Sequence, residues 1–396
     1  MLDNILLEKV LEHIENYADG REIVMFGRHL ELQEGLENSG CKVEKIFTRN
    51  KEFLADETAH CTDARQMDGN KDKYYVIIPF YLANKGADQK QLLKKFGYTE
   101  KTDYVFYPNE DLTVTNLNGR VFDDYGNVVE GKCKNVSVKI SGLENRVIIK
   151  DEVRVKGSLN ISVSGSRHKV VIGEKCVFNG TNRIVIYQDA GNSDTSIEIG
   201  DSCAFTDNSI ECRAHSEIKI GELSTFGFQT KIYAHSNSKL TIGTDCMFSF
   251  EVVVQTGDGH SIFDIETGRN ISIAPIPIDD VFLHEVEIKD HIWVGRGAFI
   301  LGGAGKTFID EGSVIGAKSF VKGVFPNNCS IAGMPARVVR KNIAWSRSNQ
   351  ADSISVCKGY TRLTEDTPDN NPFSISKRIE KLEQEVERLS ALLKEK

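Results

Sequence analysis

A six-residue pattern recurs through the middle of the chain and limits its possible folds more than any other feature. It places an aliphatic residue first, Gly second and a small residue fifth, in copies that begin at Ile172, Ile199, Ile220 and Ile242. The last three copies follow one another at spacings of 21 and 22 residues. Such a short period is typical of a solenoid, in which each repeat contacts only its neighbours. We expect the aliphatic residue to fill a narrow core and the Gly to permit a close turn.

The pattern later tightens into consecutive hexads, which begin at Ile288, Val294, Ile309 and Ile315. Consecutive hexads predict short parallel strands that stack in register. These repeats resemble those of the hexapeptide acyltransferases, and the resemblance implies a left-handed parallel β-helix. The hand comes from the resemblance alone, because connections between parallel strands are generally right-handed.

The segments on either side of the repeats have different periods. Residues 1–110 alternate helical and strand-like patterns, which predicts a small α/β (Rossmann-like) domain with a parallel sheet. Residues 111–345 form the predicted β-helix acyltransferase domain, with irregular coils from Val136 to Val170 and regular coils beyond. Residues 346–371 are polar and predict a linker, and apolar heptad positions in residues 372–396 predict a coiled-coil helix, or else a helix folded onto its own subunit. We therefore expect an α+β multidomain protein: a small α/β domain, a left-handed parallel β-helix and a C-terminal coiled coil.

Composition and charge exclude several classes of protein. The formal net charge of −8 disfavours a general nucleic-acid or anionic-membrane surface, which needs an excess of Lys and Arg. The first residues carry no basic and apolar signal-peptide pattern, and Pro79 breaks the most apolar stretch, so we expect a cytoplasmic protein without a transmembrane segment. The nine cysteines include no CxxC pair, which argues against a disulfide framework or a zinc knuckle. Cys176, Cys203 and Cys246 occupy the fifth hexad position, where a thiol serves as a small apolar filler.

A glycine-rich loop interrupts the coil pattern between Gln255 and Asp264 and precedes an irregular insert that reaches about Asp280. It contains His260, which is flanked by Asp258 and Asp264. A carboxylate can fix one nitrogen of an imidazole while the other takes a proton from a hydroxyl. The loop is therefore a candidate active site, and the alternative is an ordinary exposed histidine in a turn.

The run from Asp258 to Asp264, with His291 to Gly295 after it, resembles the signature of bacterial capsule and surface-polysaccharide O-acetyltransferases within the hexapeptide family. The resemblance implies that His260 is the general base and that Trp293 lines the active site. Of the two flanking carboxylates, Asp258 is preferred for orienting His260, with Asp264 left open. Trp293 has an alternative role as an aromatic residue that packs at a corner of the coil.

The segment from Ala332 to Arg340 resembles the closing motif of the same family, with Met334 where Asn is usual. In the family this motif wraps the adenine and 3′-phosphate of coenzyme A. Arg side chains fork across phosphate oxygens, although the arginines could equally belong to a solvated last coil. The implied acetyl-CoA site comprises Gly303, Ala317, Ser319, Pro335, Arg337, Arg340 and Lys341.

Two other candidate sites have weaker support. His215 and His235 each occur as Ala-His-Ser, and left-handed β-helix carbonic anhydrases hold a metal through three histidines, but no third ligand is evident and no metal is expected. The N-terminal domain resembles the sugar-nucleotide domain of some bacterial sugar acetyltransferases. Its turn at Gly27 has one glycine where a dinucleotide fingerprint needs three, so an acceptor-positioning or purely structural role stays open.

The combined prediction is an acetyl-CoA-dependent O-acetyltransferase that modifies a hydroxyl of a bacterial surface or capsular polysaccharide or its precursor. The partners would be a coenzyme A thioester and a carbohydrate acceptor, and the enzyme would be a homotrimer. Direct transfer is expected because no Ser or Cys lies in a recognisable nucleophile elbow. The alternatives are an N-acetyltransferase acting on a nucleotide-linked amino sugar and a non-catalytic trimeric scaffold.

Overall fold

The computed structural model describes residues 4–27, 30–49, 54, 60–78, 87–100, 102–106, 111–123, 125–187, 195–257, 260, 262–268, 284–303 and 306–348. Asp258, most of the predicted linker and the predicted coiled coil of residues 372–396 lie outside these residues. No helix in the described part of the chain is long and apolar enough to cross a membrane.

The N-terminal part contains a five-stranded parallel sheet in the order β3-β2-β1-β4-β5. Its elements are α1 (Asn4–Tyr17), β1 (Glu22–Phe26), α2 (Leu30–Asn38), β2 (Lys45–Thr48), β3 (Cys61–Asp63), a 3-10 turn (Ala64–Met67), β4 (Tyr74–Ile78), α3 (Ala87–Lys95) and β5 (Tyr104–Phe106). Both faces of the sheet are buried, with Ile23 and Met25 in one apolar cluster and Val24 and Phe26 in the other. Burial on two faces explains why these strands read as continuous apolar runs.

A long hairpin starts the second sheet and corrects one prediction. β6 (Leu112–Phe122) pairs antiparallel with β7 (Val128–Leu143), and β7 then pairs in parallel with β8 (Arg146–Ile149) and β9 (Arg154–Ser166). The prediction of irregular coils from Val136 to Val170 was wrong, because this segment pairs in continuous register. Its strands lack the hexad Gly, so they do not show the motif by which the later coils are recognised.

From β8 onward each strand pairs with the strand one turn later, so that three strands complete one turn of a parallel β-helix with three faces. The first face contains β8, β10 (Lys169–Ile172), β12 (Ser196–Ile199), β15 (Glu217–Ile220), β18 (Ser238–Ile242), β21 (His284–Ile288), β24 (Thr307–Ile309) and β27 (Val324–Phe325). The second contains the start of β9, the start of β11 (Val177–Ile186), β13 (Ala204–Thr206), β16 (Thr225–Phe226), β19 (Met247–Phe248), β22 (Trp293–Val294), β25 (Val314–Ile315) and β28 (Ser330–Gly333). The third contains the ends of β9 and β11, β14 (Ser209–Cys212), β17 (Lys231–Ala234), β20 (Val253–Gln255), β23 (Phe299–Leu301) and β26 (Phe320–Val321), and β29 (Ala336–Arg340) folds back on β28.

The interior is a single apolar column. Phe178, Phe205, Phe226 and Phe248 stack at centroid distances of 5.0, 4.8 and 4.7 Å, which is the spacing of neighbouring strands. Alternate residues of each strand point inward, so every second side chain faces outward on a rigid support.

We name the corner between the first and second faces the first corner, that between the second and third faces the second corner, and that between the third and first faces the third corner. At the first corner a Cβ added to Gly200 would lie 2.6 Å from Glu222 N, so the hexad Gly is required for packing between coils. The fourth position is left-handed, with φ of 57° at Lys175 and 58° at Ser202. The buried fifth position confirms that Cys176, Cys203 and Cys246 are core fillers.

Candidate functional site

The third corner is broken by a long loop. Between β17 and β18 it takes only residues 235–237, whereas between β20 and β21 it takes residues 256–283. The strands on either side stay in phase, because Ser238 of β18 pairs directly with His284 of β21. The loop is therefore an insertion into an intact solenoid, and loops on a rigid scaffold are common places for functional residues.

The root of the loop is tightly fixed. Thr256 is fully buried, and its Oγ1 accepts a hydrogen bond from His235 N at 2.9 Å and donates one to Ser238 Oγ at 2.8 Å. In the next coil, a Cβ added to Gly302 would lie 2.1 Å from Thr256 O. Gly302 thus permits the close approach of the two coils, and the point at which the loop leaves the solenoid is set by packing.

Within the loop, His260 is exposed to solvent. Asp264 closes a turn, because its Oδ1 accepts hydrogen bonds from the backbone N and Oγ1 of Thr267, each at 2.7 Å. These hydrogen bonds hold the pKa of Asp264 below its usual value. Asp264 is therefore engaged locally, and Asp258, the preferred partner of His260, lies outside the described residues.

Trp293 lies on the outer side of the second face, beside the first corner, and pairs with Met247 and Val314 of the adjacent coils. It is 40% exposed, so it is not part of the solenoid core. Its ring centroid lies 6.1 Å from that of Trp345, which is only 7% exposed. The partly open indole is available to a ligand on one side and is supported by Trp345 on the other.

Trp345 belongs to a segment that we call the C-terminal strap, residues 343–348, which crosses the first corner. The strap begins where Ile343 N donates to Asn328 O at 2.9 Å. The ring of Trp345 stacks on His291 with centroids 4.0 Å apart and an interplanar angle of 13°. Its Nε1 also donates to His291 O at 2.8 Å. Sequence analysis missed this arrangement, since neither Trp345 nor His291 occupies an inward position of a hexad.

A polar cluster fastens the other end of the strap. His291 is 5% exposed, and its ring nitrogens contact two acceptors, Asp245 Oδ2 at 2.7 Å and Trp345 O at 3.0 Å. Arg347 binds the other oxygen of Asp245 and donates to Cys246 O at 2.8 Å and Leu223 O at 3.1 Å. The strap therefore runs down the first corner across successive coils.

The predicted acetyl-CoA residues separate into groups. Ala317 and Ser319 lie at the second corner, where buried Ser319 Oγ accepts a hydrogen bond from Gly333 N at 3.2 Å. That bond brings them close to the turn between β28 and β29, which carries Pro335 and is followed by exposed Arg337.

The remaining predicted acetyl-CoA residues lie elsewhere. Arg340 pairs with Ser330 at the opposite end of the β28–β29 hairpin and is followed by Lys341, and Gly303 lies at the third corner with φ of 133°. Trp293, the Ala317–Ser319 group and the His260 loop thus occupy three different corners of one solenoid. Among the described residues, no hydrogen bond joins His260 to any of the others.

The histidines of the third corner form a larger group than the sequence indicated. A Cβ added to Gly257 would lie 3.7 Å from His284 Cδ2 and 3.9 Å from His235 Cδ2. His284 was missed because the loop separates it from His235 along the chain. Within the described residues no three His, Cys, Asp or Glu side chains are arranged to hold a metal ion.

Comparisons with known proteins identify similar proteins that are named as O-acetyltransferases, the class that these motifs resemble. No family model matches the chain. It is 30% identical over 154 residues to the polysialic acid O-acetyltransferase of Escherichia coli O1:K1, which is 38% of this chain and 46% of that protein. It is 28% identical over 208 residues to the polysialic acid O-acetyltransferase of Neisseria meningitidis, which is 52% of this chain and 87% of that protein. The chain thus spans about half the length of the Escherichia coli relative.

Among solved structures, the polysialic acid O-acetyltransferase OatWY aligns over 55% of this chain and 94% of its own, with 23% identity and a TM-score of 0.47. The sequence matches confirm the resemblance predicted from the loop and closing motifs. The chain, with its recurring hexads, is thus similar in sequence to bacterial polysialic acid O-acetyltransferases.

Proposed function

We propose that this protein transfers the acetyl group of acetyl-CoA to a hydroxyl of a bacterial surface or capsular polysaccharide or its precursor. The observation that carries the proposal is the His260 loop, inserted into an intact β-helix at a fixed root and bearing the motif that resembles this enzyme class. The relatives named for O-acetylation of polysialic acid support an acidic glycan as the acceptor.

In the proposed reaction His260 removes the proton of the acceptor hydroxyl as its oxygen attacks the thioester carbonyl. Asp258 holds the imidazole in the productive orientation, and backbone amides donate to the oxyanion. The C–S bond of the thioester then breaks, and the coenzyme A thiolate takes the proton from His260 and leaves as the thiol. Trp293 contacts the reacting groups from the open side of its indole.

The acetyl-CoA site that we propose follows the second corner. Ala317, Ser319 and Pro335 line the path of the pantetheine arm, and Arg337 meets phosphate oxygens with a forked guanidinium. Arg340 and Lys341 lie three and four residues beyond Arg337 and extend the phosphate-binding side, whereas Gly303 lies at the third corner, where a neighbouring subunit would bring it to the donor. This separation, like that of His260 and Trp293, supports a homotrimer with its active sites between subunits. We place the enzyme in the cytoplasm and assign residues 372–396 to a coiled coil that reinforces the trimer.

Replacement of His260 tests the proposal directly. We expect His260→Ala to lower kcat at least about 100-fold with little change in the KM for acetyl-CoA, because proton transfer is lost while donor binding is kept. The measurement is release of coenzyme A thiol in the presence of polysialic acid. His215→Ala, a histidine at the same corner in an uninterrupted coil, is the matched control and should keep the wild-type rate. A His260→Ala protein that turns over at nearly the wild-type rate contradicts the proposal.

A second function is favoured by the N-terminal sheet. Its order, β3-β2-β1-β4-β5, has a topological switch point between β1 and β4, and parallel sheets bind ligands outside such points. A nucleotide-linked amino sugar bound there would point to N-acetylation. Calorimetry of the full chain with a panel of nucleotide sugars separates the two functions: micromolar binding favours N-acetylation, and the absence of heat disfavours it.

A further inference from the structure

Outward residues of the third face and of the adjoining third corner form two aligned columns that end at the root of the His260 loop. In the first column Glu211 pairs with Tyr233 and Tyr233 pairs with Gln255. The second column lies just past the ends of these strands, at the third corner, and contains Tyr187, Arg213, His235 and Gly257. Gln255 Nε2 donates to Gly257 O at 3.0 Å, so the columns join three residues before His260. We call the seven residues of these columns the polar track.

A buried carboxylate organises the polar track. Glu211 faces outward yet is only 8% exposed, because Tyr187 OH donates to its Oε2 at 2.6 Å and Ser209 Oγ donates to its Oε1 at 2.7 Å. Burial alone would raise the pKa of Glu211, but hydrogen bonds from Tyr187, Ser209 and Tyr233 outweigh it and lower the pKa. The carboxylate thus remains ionised at neutral pH and holds two phenol rings in place.

The side chains of the polar track combine flat rings with hydrogen-bonding groups. The Arg213 guanidinium lies 5.2 Å from the Tyr187 ring centroid, and the rings of Tyr233 and His235 are 5.3 Å apart. Tyr and His present both an apolar face and a polar edge. A sugar ring likewise has apolar C–H faces and hydroxyl edges, so this composition is complementary to a carbohydrate.

A groove extends the polar track away from the His260 loop. Its volume is about 370 Å³, and it is lined by Asn160, Ser162, Thr181, Arg183, Val185, Asp207, Asn208 and Ser209. Arg183, Arg213 and Lys231 lie along the track and its groove, against the two carboxylates of Glu211 and Asp207, with Arg183 3.8 Å from Glu211. The resulting excess of one positive charge, on a chain whose total is −8, is complementary to an acidic polymer.

The first face shows that such a surface is not a general property of the solenoid. Its outward residues form opposite-charge pairs, Lys169 with Glu198 at 2.6 Å, Lys289 with Glu287 at 2.6 Å and Lys306 with Glu285 at 3.3 Å. These charges neutralise one another. The ring-lined and continuous surface therefore distinguishes the third face and its corner from the first face.

We propose that the polar track binds a run of sugar residues of an acidic polysaccharide and guides the chain to His260. The proposal rests on the proposed function, since it places the distal part of the same acceptor. A long acceptor would contact the polar track and the loop together, whereas a short oligosaccharide would reach only the loop.

The test compares long polysialic acid with short sialic acid oligomers as acceptors for the full-length protein. We expect Tyr233→Ala to raise the KM for the long polymer about tenfold, which corresponds to about 1.4 kcal/mol, and to leave the KM for short oligomers and for acetyl-CoA unchanged. Tyr233→Phe keeps the ring and should cause a smaller increase. Glu211→Gln should raise the KM for the long polymer, because the two phenol rings lose their shared acceptor. Its matched control, Glu198→Gln on the first face, should leave this KM unchanged.

Binding of long polysialic acid and neutral dextran, measured without acetyl-CoA, separates the two proposals. Retention of polysialic acid but not dextran, reduced by Tyr233→Ala, supports the polar track even if no acetyl transfer is found and the proposed function fails. If the protein transfers acetyl groups but Tyr233→Ala leaves the KM for the long polymer unchanged, the polar-track proposal is overturned and the proposed function stands. A wild-type protein that does not bind long polysialic acid also overturns the polar-track proposal. So does a Tyr233→Ala variant whose KM rises equally for long and short acceptors.

Discussion

The first and third corners of the β-helix are made by the same repeating chain but differ in what they leave open. At the first corner the fourth position is left-handed in coil after coil, from Glu152 to Asn328, four of these coils also carry the hexad Gly, and the C-terminal strap crosses the edge. At the third corner 28 residues separate β20 from β21, and His235 and His284 lie beside Gly257, where the polar track ends. The regular corner provides rigidity, and the interrupted corner provides the side chains available for chemistry.

This division follows from how a solenoid is stabilised. Each coil contacts only its neighbours, so an insertion at one corner leaves the pairing of the other strands intact. The pairing of Ser238 with His284 across the insertion shows this directly. If the comparison is right, changes at the first corner should act mainly on stability, and changes at the third corner should act on activity as well.

The largest stability effect should come from Trp345→Ala at the first corner. The change removes the stacking on His291 and the hydrogen bond to its carbonyl and leaves a cavity beside Trp293, so we expect a loss of about 3–5 kcal/mol in the free energy of unfolding. Urea denaturation measures the loss, and proteolysis after residue 342 should become faster. Trp345→Phe keeps most of the packing and should lose less. An unfolding midpoint unchanged by Trp345→Ala would contradict the role of the strap.

Gly302→Ala at the third corner should be less destabilising and should also affect turnover. The new Cβ would lie 2.1 Å from Thr256 O, so the backbone at the loop root must shift, at about 1–3 kcal/mol. We expect kcat to fall, because the loop that carries His260 is displaced. Gly257→Ala is the matched control for stability, since its nearest atoms lie 3.7 Å away. Full activity in Gly302→Ala would show that the root does not position the loop.

The smallest effect should come from Arg347→Ala at the lower end of the strap. Its side chain is 32% exposed, so solvent weakens its ion pair with Asp245, and we expect a loss of about 1 kcal/mol or less. Thermal unfolding at low and high salt measures it, with a smaller difference at high salt. Arg347→Lys should recover only part of the loss, because an ammonium cannot reach Asp245 and both carbonyls together. A loss as large as that of Trp345→Ala would mean that the strap depends on charge rather than on packing.

The sequence predicted the features that repeat and missed those formed by contacts between distant segments. The hexads predicted the parallel coils and the burial of Cys176, Cys203 and Cys246, because each hexad position calls for the same type of side chain in every turn. Strands β3 and β5 were missed, since three residues carry too little pattern to identify.

The candidate site was predicted only in part. His260 and Trp293 were proposed from local motifs and stay predictions, and their placement at different corners depends on the phase of the coils, which the inserted loop obscures. His284 and the strap residues Trp345 and Arg347 acquire their partners only after folding. One column of the polar track was detectable in the sequence, because Glu211, Tyr233 and Gln255 recur at outward positions 22 residues apart.

The in-phase pairing across the insertion has an evolutionary consequence. A segment that enters and leaves a scaffold at two fixed hydrogen-bonded points can be lengthened, shortened or exchanged without refolding the rest. Related chains could therefore differ between Gly257 and His284, while the second corner and the hydrophobic interior are inherited unchanged.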